Sequence, residues 1–193
     1  MRRVALVLLL VLGACGSGPT PLATPSASAK PIELWDLPSD PMKLARKAGL
    51  EPERSEQLKY HVHAHLDVFK DGRRVLVPGG IGIDITDPQV HEFPGPAYGG
   101  IREPCAKPCI SPLHTHDPDG VLHTESPTPT PNTFGQFLIE WDVKLPRDAR
   151  VYVDGEEYTK NVKEIELSDR REIAVVIGSP PDVIPSRFPS SAG

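Results

Sequence analysis

The pattern of apolar and polar positions changes period several times along the chain, and each change marks an element. From Tyr60 to Phe69 the period is two. Val62, Ala64, Leu66 and Val68 alternate with His61, His63, His65 and Asp67, which predicts a strand that buries its even face and presents a row of histidines and Asp67 on the other. Asp71-Gly72 reads as a hairpin turn and Arg73 to Val77 as the returning strand. Ile81-Gly82-Ile83-Asp84-Ile85 is a further strand candidate. Residues 86–112 are rich in Pro and Gly and predict a long irregular loop, which in a compact domain is usually functional or disordered. At Phe134, Phe137, Leu138 and Trp141 the spacing becomes helical, with Thr133 as cap and the aromatics facing a core. Arg150 to Val153, a turn at Asp154-Gly155, Ile165 to Leu167 and the apolar run Glu172 to Gly178 return to strand grammar, the last apolar enough to be central. Asp40-Pro41 opens a shorter helix, Met42 to Ala48, stopped by Gly49; its thin apolar face places it on the surface. This order predicts an α+β domain, a mostly antiparallel β-sheet with hairpins and one packed helix, with a β-grasp-like arrangement or a small β-sandwich as the two candidate forms.

The ends of the chain have a different character. Met1-Arg2-Arg3 and the apolar run Val4 to Leu12 have the charged and hydrophobic regions of a secretory signal, too short to span a bilayer. Leu12-Gly13-Ala14-Cys15 resembles the lipobox of bacterial lipoproteins, in which the cysteine is lipidated and becomes the new N-terminus. The expected organisation is a signal at 1–14, a Pro/Ser/Thr linker at 15–31, an extension with the short helix at 32–59, a single globular domain at 60–182 and a flexible tail at 183–193.

The chemistry concentrates in Leu113 to Glu125. Asp117-Pro118-Asp119-Gly120 is turn chemistry, since Pro presets φ, Asp bonds its own backbone and Gly accepts positive φ. Pairing symmetric about Pro118-Asp119 opposes 116 with 121, 115 with 122 and 114 with 123. His114 and His123 then have Cβ atoms roughly 4.5–5.5 Å apart, and His116 shares their face. Three imidazoles on one face can hold a copper or zinc ion with a coordination position open. A three-residue loop would shift the pairing by one and send His123 to the opposite face. On the first strand, residues four apart lie roughly 13 Å from one another, so at most two of His61, His63 and His65 can share an ion. If that strand lies beside the hairpin, His63 and His65 either complete the site or form a second one. His91, alone in the long loop, is read as ordinary surface.

Charge and cysteine content narrow the field further. Counted from Cys15 the chain loses Arg2 and Arg3, so Lys+Arg falls from 21 to 19 against 26 acids, a formal charge of −7. An acidic surface of this kind disfavours nucleic acid as a partner. Cys105 and Cys109 remain, and export to an oxidising compartment makes a disulfide their default. Such a bridge closes a very small ring, so its value lies in fixing where the His hairpin begins rather than in chain entropy.

His61-Val62-His63-Ala64-His65-Leu66-Asp67-Val68-Phe69, Leu113-His114-Thr115-His116-Asp117 with Gly120 and His123-Thr124-Glu125-Ser126, and Phe134-Gly135-Gln136-Phe137 together resemble an uncharacterised family of exported bacterial His-rich proteins. The resemblance covers Tyr60 to Gly178 and implies export and one domain, but no catalytic residue. Better-known families share only fragments. Cupins place a Glu a few residues after His-x-His, whereas Glu125 follows His116 by nine. Amidohydrolases need a barrel longer than this domain, and the copper–zinc superoxide dismutases a glycine-rich zinc loop that is missing. Thioredoxin-fold copper-delivery proteins share the Cys105/Cys109 spacing without the βαβ pattern around it. Two function classes follow: a membrane-anchored extracytoplasmic copper- or zinc-binding lipoprotein acting through its histidines, or a small metal-dependent hydrolase or redox enzyme in which Asp67, Asp117 or Glu125 is the general base. A non-metal interaction module is the third. With no nucleophile motif and no phosphate loop, the binder is favoured.

Overall fold

The structure, a computed structural model, describes residues 31–190. The expected signal, Cys15 and all but the end of the linker lie outside the described residues. Nine strands, two short α-helices and a 3-10 turn follow in order: α1 (Pro41–Lys47), β1 (Tyr60–Lys70), β2 (Arg73–Val75), β3 (His91–Phe93), β4 (Ala97–Gly99), β5 (Leu113–His114), β6 (Val121–Ser126), α2 (Phe134–Glu140), β7 (Arg150–Val153), β8 (Glu156–Glu157), the 3-10 turn Val162–Glu164, and β9 (Glu172–Ile177). A seven-stranded sheet runs β5-β6-β1-β9-β7-β8, with β2 also paired to β1, and β3 and β4 form a separate pair. The sheet is mixed. Most pairs are antiparallel as expected, but the central pair, β1 with β9, is parallel.

Local chemistry accounts for most of these elements. Both two-residue hairpins carry Asp-Gly with positive φ at both positions, 49° and 75° at Asp71-Gly72 and 52° and 85° at Asp154-Gly155, the turn whose twist matches that of paired strands. Asp40 caps α1 by accepting from the Lys43 amide. Thr133 and Gln136 form a reciprocal capping box at the start of α2, satisfying two helix-end donors.

Register then separates two chemistries. On β1 the even residues Ala64, Leu66 and Val68 join Leu122 of β6, Ile173 and Val175 of β9, and Phe134, Phe137 and Trp141 from α2 and its cap in the main core. The odd residues point away from that core, and β6 faces them with His123 opposite His63 and Glu125 opposite His61. Segment 32–59 is packed rather than trailing, with Ile32 bridged to Val75, Glu53 to Ile110, and Trp35 edge-on to Trp141 at 5.3 Å. Within the expected tail, Phe188 is buried beneath the Arg170 guanidinium, 4.9 Å from its ring centre.

Several expected elements need correction. Ile81 to Ile85 is a run of turns in which only Ile83 makes a bridge, to Ile110, because Gly80 and Gly82 adopt positive φ that a strand cannot hold. Ile165 to Leu167 makes a single bridge, Thr133 to Glu166, and the strand that returns from Asp154-Gly155 is the short β8 instead. The long loop contains the β3–β4 pair. The odd face of β1 is not an exposed row, since His65 and Asp67 are buried in the part of the strand that pairs with β9 at the sheet centre.

Glu140, at the end of α2, is fully buried, and neither carboxylate oxygen has a hydrogen-bond partner. Burial pushes its carboxyl well above the ordinary range, the nearby Ser111 side chain offsetting only part of that. With the folded pKa above the unfolded value of 4.5, the group's contribution to stability is complete below that value and is lost as pH rises through the folded pKa. Glu140→Leu should therefore stabilise the protein at neutral pH by about 1–3 kcal/mol, the cost of buried unsatisfied groups. Urea unfolding across pH 4 to 8 checks this. Parallel stability–pH curves for the variant and the parent protein would contradict it.

Candidate metal centre

The centre is built on the antiparallel pairing of β5 with β6. His114 lies opposite His123 and Leu113 opposite Thr124, the register expected from a turn about Pro118-Asp119. Asp119 accepts from the Val121 amide at 2.9 Å and Gly120 has φ of 92°, so the turn chemistry operates as read. The ladder nevertheless ends at His114, and the expected pairs 115–122 and 116–121 do not form. Thr115 bonds instead to Ile81 and Gly80, and His116 accepts from the Tyr98 amide, while β1 takes Val121 and Leu122. This close approach of two loops requires glycine. A Cβ on Gly99 would stand 2.6 Å from His116 Nδ1, and one on Gly82 would collide with the Leu113 carbonyl.

His114, His116, His123 and Glu125 each offer a ligand atom, and all four lie within 4.8 Å of one another. His114 Nε2 is 3.1 Å from His116 Nε2, and Glu125 Oε1 is 3.7 Å from the first, 3.9 Å from the second and 3.6 Å from His123 Nδ1. A tetrahedral ion with bonds of about 2.0–2.1 Å needs ligand atoms about 3.3–3.4 Å apart, so these separations suit one ion. Tautomers are held by outer contacts. His114 Nδ1–H donates to the Ser111 carbonyl at 2.8 Å and His116 Nδ1–H to the Tyr98 carbonyl at 2.7 Å, which leaves both Nε2 lone pairs facing inward in the neutral rings. Glu125 is buried, and its second oxygen, Oε2, has no partner. An orphaned carboxylate oxygen beside converging imidazoles is what a cation would compensate.

The electrostatics favour ligation near neutral pH. Burial and the charge of His116 hold His114 well below its ordinary value, and burial likewise lowers His123. For His116, burial acts against the charged ring, but Glu125 and the Tyr98 carbonyl outweigh it and raise the pKa. Burial would raise Glu125, yet the imidazoles of His116 and His123 and the charges of His114 and His61 pull it far below the carboxylate range. The centre therefore holds an ionised carboxylate among mostly neutral rings.

The remaining histidines divide into three cases. His61 and His63 join His123 in a second group of three whose ligand atoms also lie within 4.8 Å of one another. His65 stands apart, in a buried group with Asp67 and Glu172. Its Nδ1 lies 2.9 Å from Glu172 Oε2 and its Nε2 3.0 Å from the Asp119 carbonyl. Burial opposes its charge, but the hydrogen bond to Glu172 and the charge of Asp67 raise its pKa, and with an acceptor at each nitrogen the ring serves as a cation in an ion-pair cluster that Arg74 extends to Asp67 at 2.7 Å. His91 is exposed on β3. The disulfide Cys105–Cys109 is formed and buried, and offers no thiolate. The amides of both cysteines bond to the Glu53–Arg54 backbone, which anchors the chain just ahead of Ser111 and His114.

Of the three candidate bases, Asp67 is tied to Arg74, Asp117 is exposed, and Glu125 lies within the ligand set. Glu125 as a ligand was legible in one signal, its place two residues after His123 on the same strand face. The carbonyls of Ser111 and Tyr98 had no signal in the sequence. No protein-family model, curated protein or solved structure matches this chain.

Proposed function

We propose that the chain is a membrane-anchored, extracytoplasmic metal-binding lipoprotein that holds a copper or zinc ion through His114, His116, His123 and Glu125. The observation that carries this reading is the outer fixation of His114 and His116 by the Ser111 and Tyr98 carbonyls, with both Nε2 atoms aimed at Glu125. Hydrogen bonds that fix tautomers are what a ligand set requires and what an incidental surface histidine lacks. Imidazole and carboxylate suit Zn²⁺ and Cu²⁺, and by intrinsic affinity Cu²⁺ binds more tightly. The metal when bound would supply charge compensation for Glu125 and, at an open position, a polarised ligand.

A binder fits better than an enzyme because Asp67 and Glu125 are committed to ion pairing or ligation, and beside His116 lies an open groove lined by Glu56, Phe93, Tyr98 and Asp117. The export, the lipid on Cys15 and the kinship with exported bacterial His-rich proteins are part of the same proposal and rest on Leu12-Gly13-Ala14-Cys15 and the histidine motifs. The sheet supports the β-grasp-like reading through its order β6-β1-β9-β7, parallel centre and α2 between β6 and β7. Elemental analysis of untagged protein purified from its exporting host tests the metal. Near-stoichiometric copper or zinc is expected, and protein that carries no metal and takes up none at neutral pH would defeat the reading. Cys15→Ser should release the protein from the membrane fraction or leave its signal uncleaved.

A further inference from the structure

The two histidine groups meet at one atom. Glu125 Oε1 lies 3.2 Å from His61 Nε2, 3.6 Å from His123 Nδ1, 3.7 Å from His114 Nε2 and 3.9 Å from His116 Nε2, so four imidazole nitrogens surround a single carboxylate oxygen. The register of β1 on β6 is the cause, since it sets His61 opposite Glu125 and His63 opposite His123. His61 Nε2 is also 3.5 Å from His123 Nδ1. His61, His123 and Glu125 therefore form a triangle with sides of 3.2, 3.5 and 3.6 Å, close to the roughly 3.3–3.4 Å edge of a tetrahedral site with bonds of about 2.0–2.1 Å.

Glu125 and these four imidazoles make one donor more than a four-coordinate ion uses. Exposure and fixation separate them. The side chain of His61 is 33% exposed, against 20% for His116, 14% for His123, 3% for Glu125 and 1% for His114. The His114 and His116 rings are held from outside by the Ser111 and Tyr98 carbonyls. His61 Nε2 instead meets only side chains of the cluster, His63 Nε2 at 2.8 Å together with His123 and Glu125. His61 is the donor best placed to meet an ion at the surface and the one least fixed to keep it.

Resting on the metal-binding reading above, we infer that a single ion uses the cluster through two positions in turn: an outer one on His61, His123 and Glu125, by which it enters and leaves, and the inner resting one on His114, His116, His123 and Glu125. The same His123 Nδ1 and the same Glu125 Oε1 serve both positions. The ion moves inward by exchanging His61 for His114 and His116, keeps its two shared ligands throughout, and changes no oxidation state. His61 is then a loading ligand. Because it binds the ion in passage and not at rest, its loss raises the barrier equally for entry and exit and leaves the equilibrium where it was.

The test uses full-length untagged protein, stripped with chelator, with Zn²⁺ alone as the probe at pH 7.5. Stopped-flow competition with a chromophoric chelator reads loading, transfer to excess chelator reads release, and equilibrium titration reads affinity. In His61→Ala both rates should fall by one common factor of about ten, equivalent to about 1.4 kcal/mol on a shared barrier, while the affinity stays that of the parent protein. His61→Gln serves should the alanine variant fail to fold. Unchanged rates overturn the outer position and place entry at the groove beside His116. A weakened affinity overturns it too, by making His61 a ligand of the resting ion. Both of those results leave the metal-binding reading standing, whereas no binding by the parent protein defeats that reading and this one together.

Discussion

His114→Ala should lose the tightly held ion, while His91→Ala keeps it unchanged. His114 is fully buried, and its Nδ1–H is held by the Ser111 carbonyl. Its removal takes away one of the four donors of the His114, His116, His123 and Glu125 group. Loss of an outer-shell partner alone typically costs roughly 10–100-fold in affinity, so loss of the ligand should exceed that range. Competition titration with a chromophoric chelator measures it. Equal effects at His114 and His91 would mean that the cluster is not the site.

The acid dependence of the same titration follows from the individual rings. His114 and His123 are held below their ordinary values, and burial with the charges of His123 and His61 pushes His63 down to about 4. These rings therefore take up a proton only below the ordinary imidazole range. His116 has its pKa raised above 6.5, so protons compete with the metal there first. Affinity should begin to fall as pH drops through that raised value, and His116→Ala, although weaker overall, should show a flatter dependence between pH 8 and 6. An unchanged slope would remove His116 from the ligand set.

Phe137→Ala should destabilise the fold by about 3–5 kcal/mol, the range for deleting a fully buried aromatic ring. Phe137 has no exposed surface, lies 5.9 Å from the Trp141 ring centre, and packs α2 on the even face of β1 and β6. Domains of ordinary stability have about 5–15 kcal/mol in total, so the variant should melt far earlier. Because the metal ligands occupy the opposite face of the same strands, saturating metal should recover part of the loss by binding the folded form. Chemical denaturation with and without Zn²⁺ reads both effects. A change under 1 kcal/mol would show that α2 is peripheral to the core.

The elements with local causes were legible in the sequence. Alternation from Tyr60 defined β1 and its two faces, Asp-Gly pairs defined two hairpins, and Thr133 defined the start of α2, because turn and cap energetics depend on a few adjacent residues. The opposition of His114 and His123 was legible for the same reason, since a turn sets the register of the strands beside it. The strand assignment for Ile81 to Ile85 failed because apolar content outweighed two glycines whose positive φ breaks extended structure. Whatever depends on residues far apart was decided by tertiary structure alone. Nothing local to β1 indicates that β9 would pair with it in parallel, yet that pairing puts Glu172 against His65 and makes it an ion-pair partner rather than a neighbour of the other histidines. Likewise, the departure of Thr115 and His116 from the hairpin depends on loops more than fifteen residues away by sequence, where Gly82 and Gly99 allow backbone to approach backbone. Alternation could say that His61, His63, His123 and Glu125 each face away from an apolar side; only the β1–β6 register brings them to one place, because a period of two determines the face of a residue but not its partner.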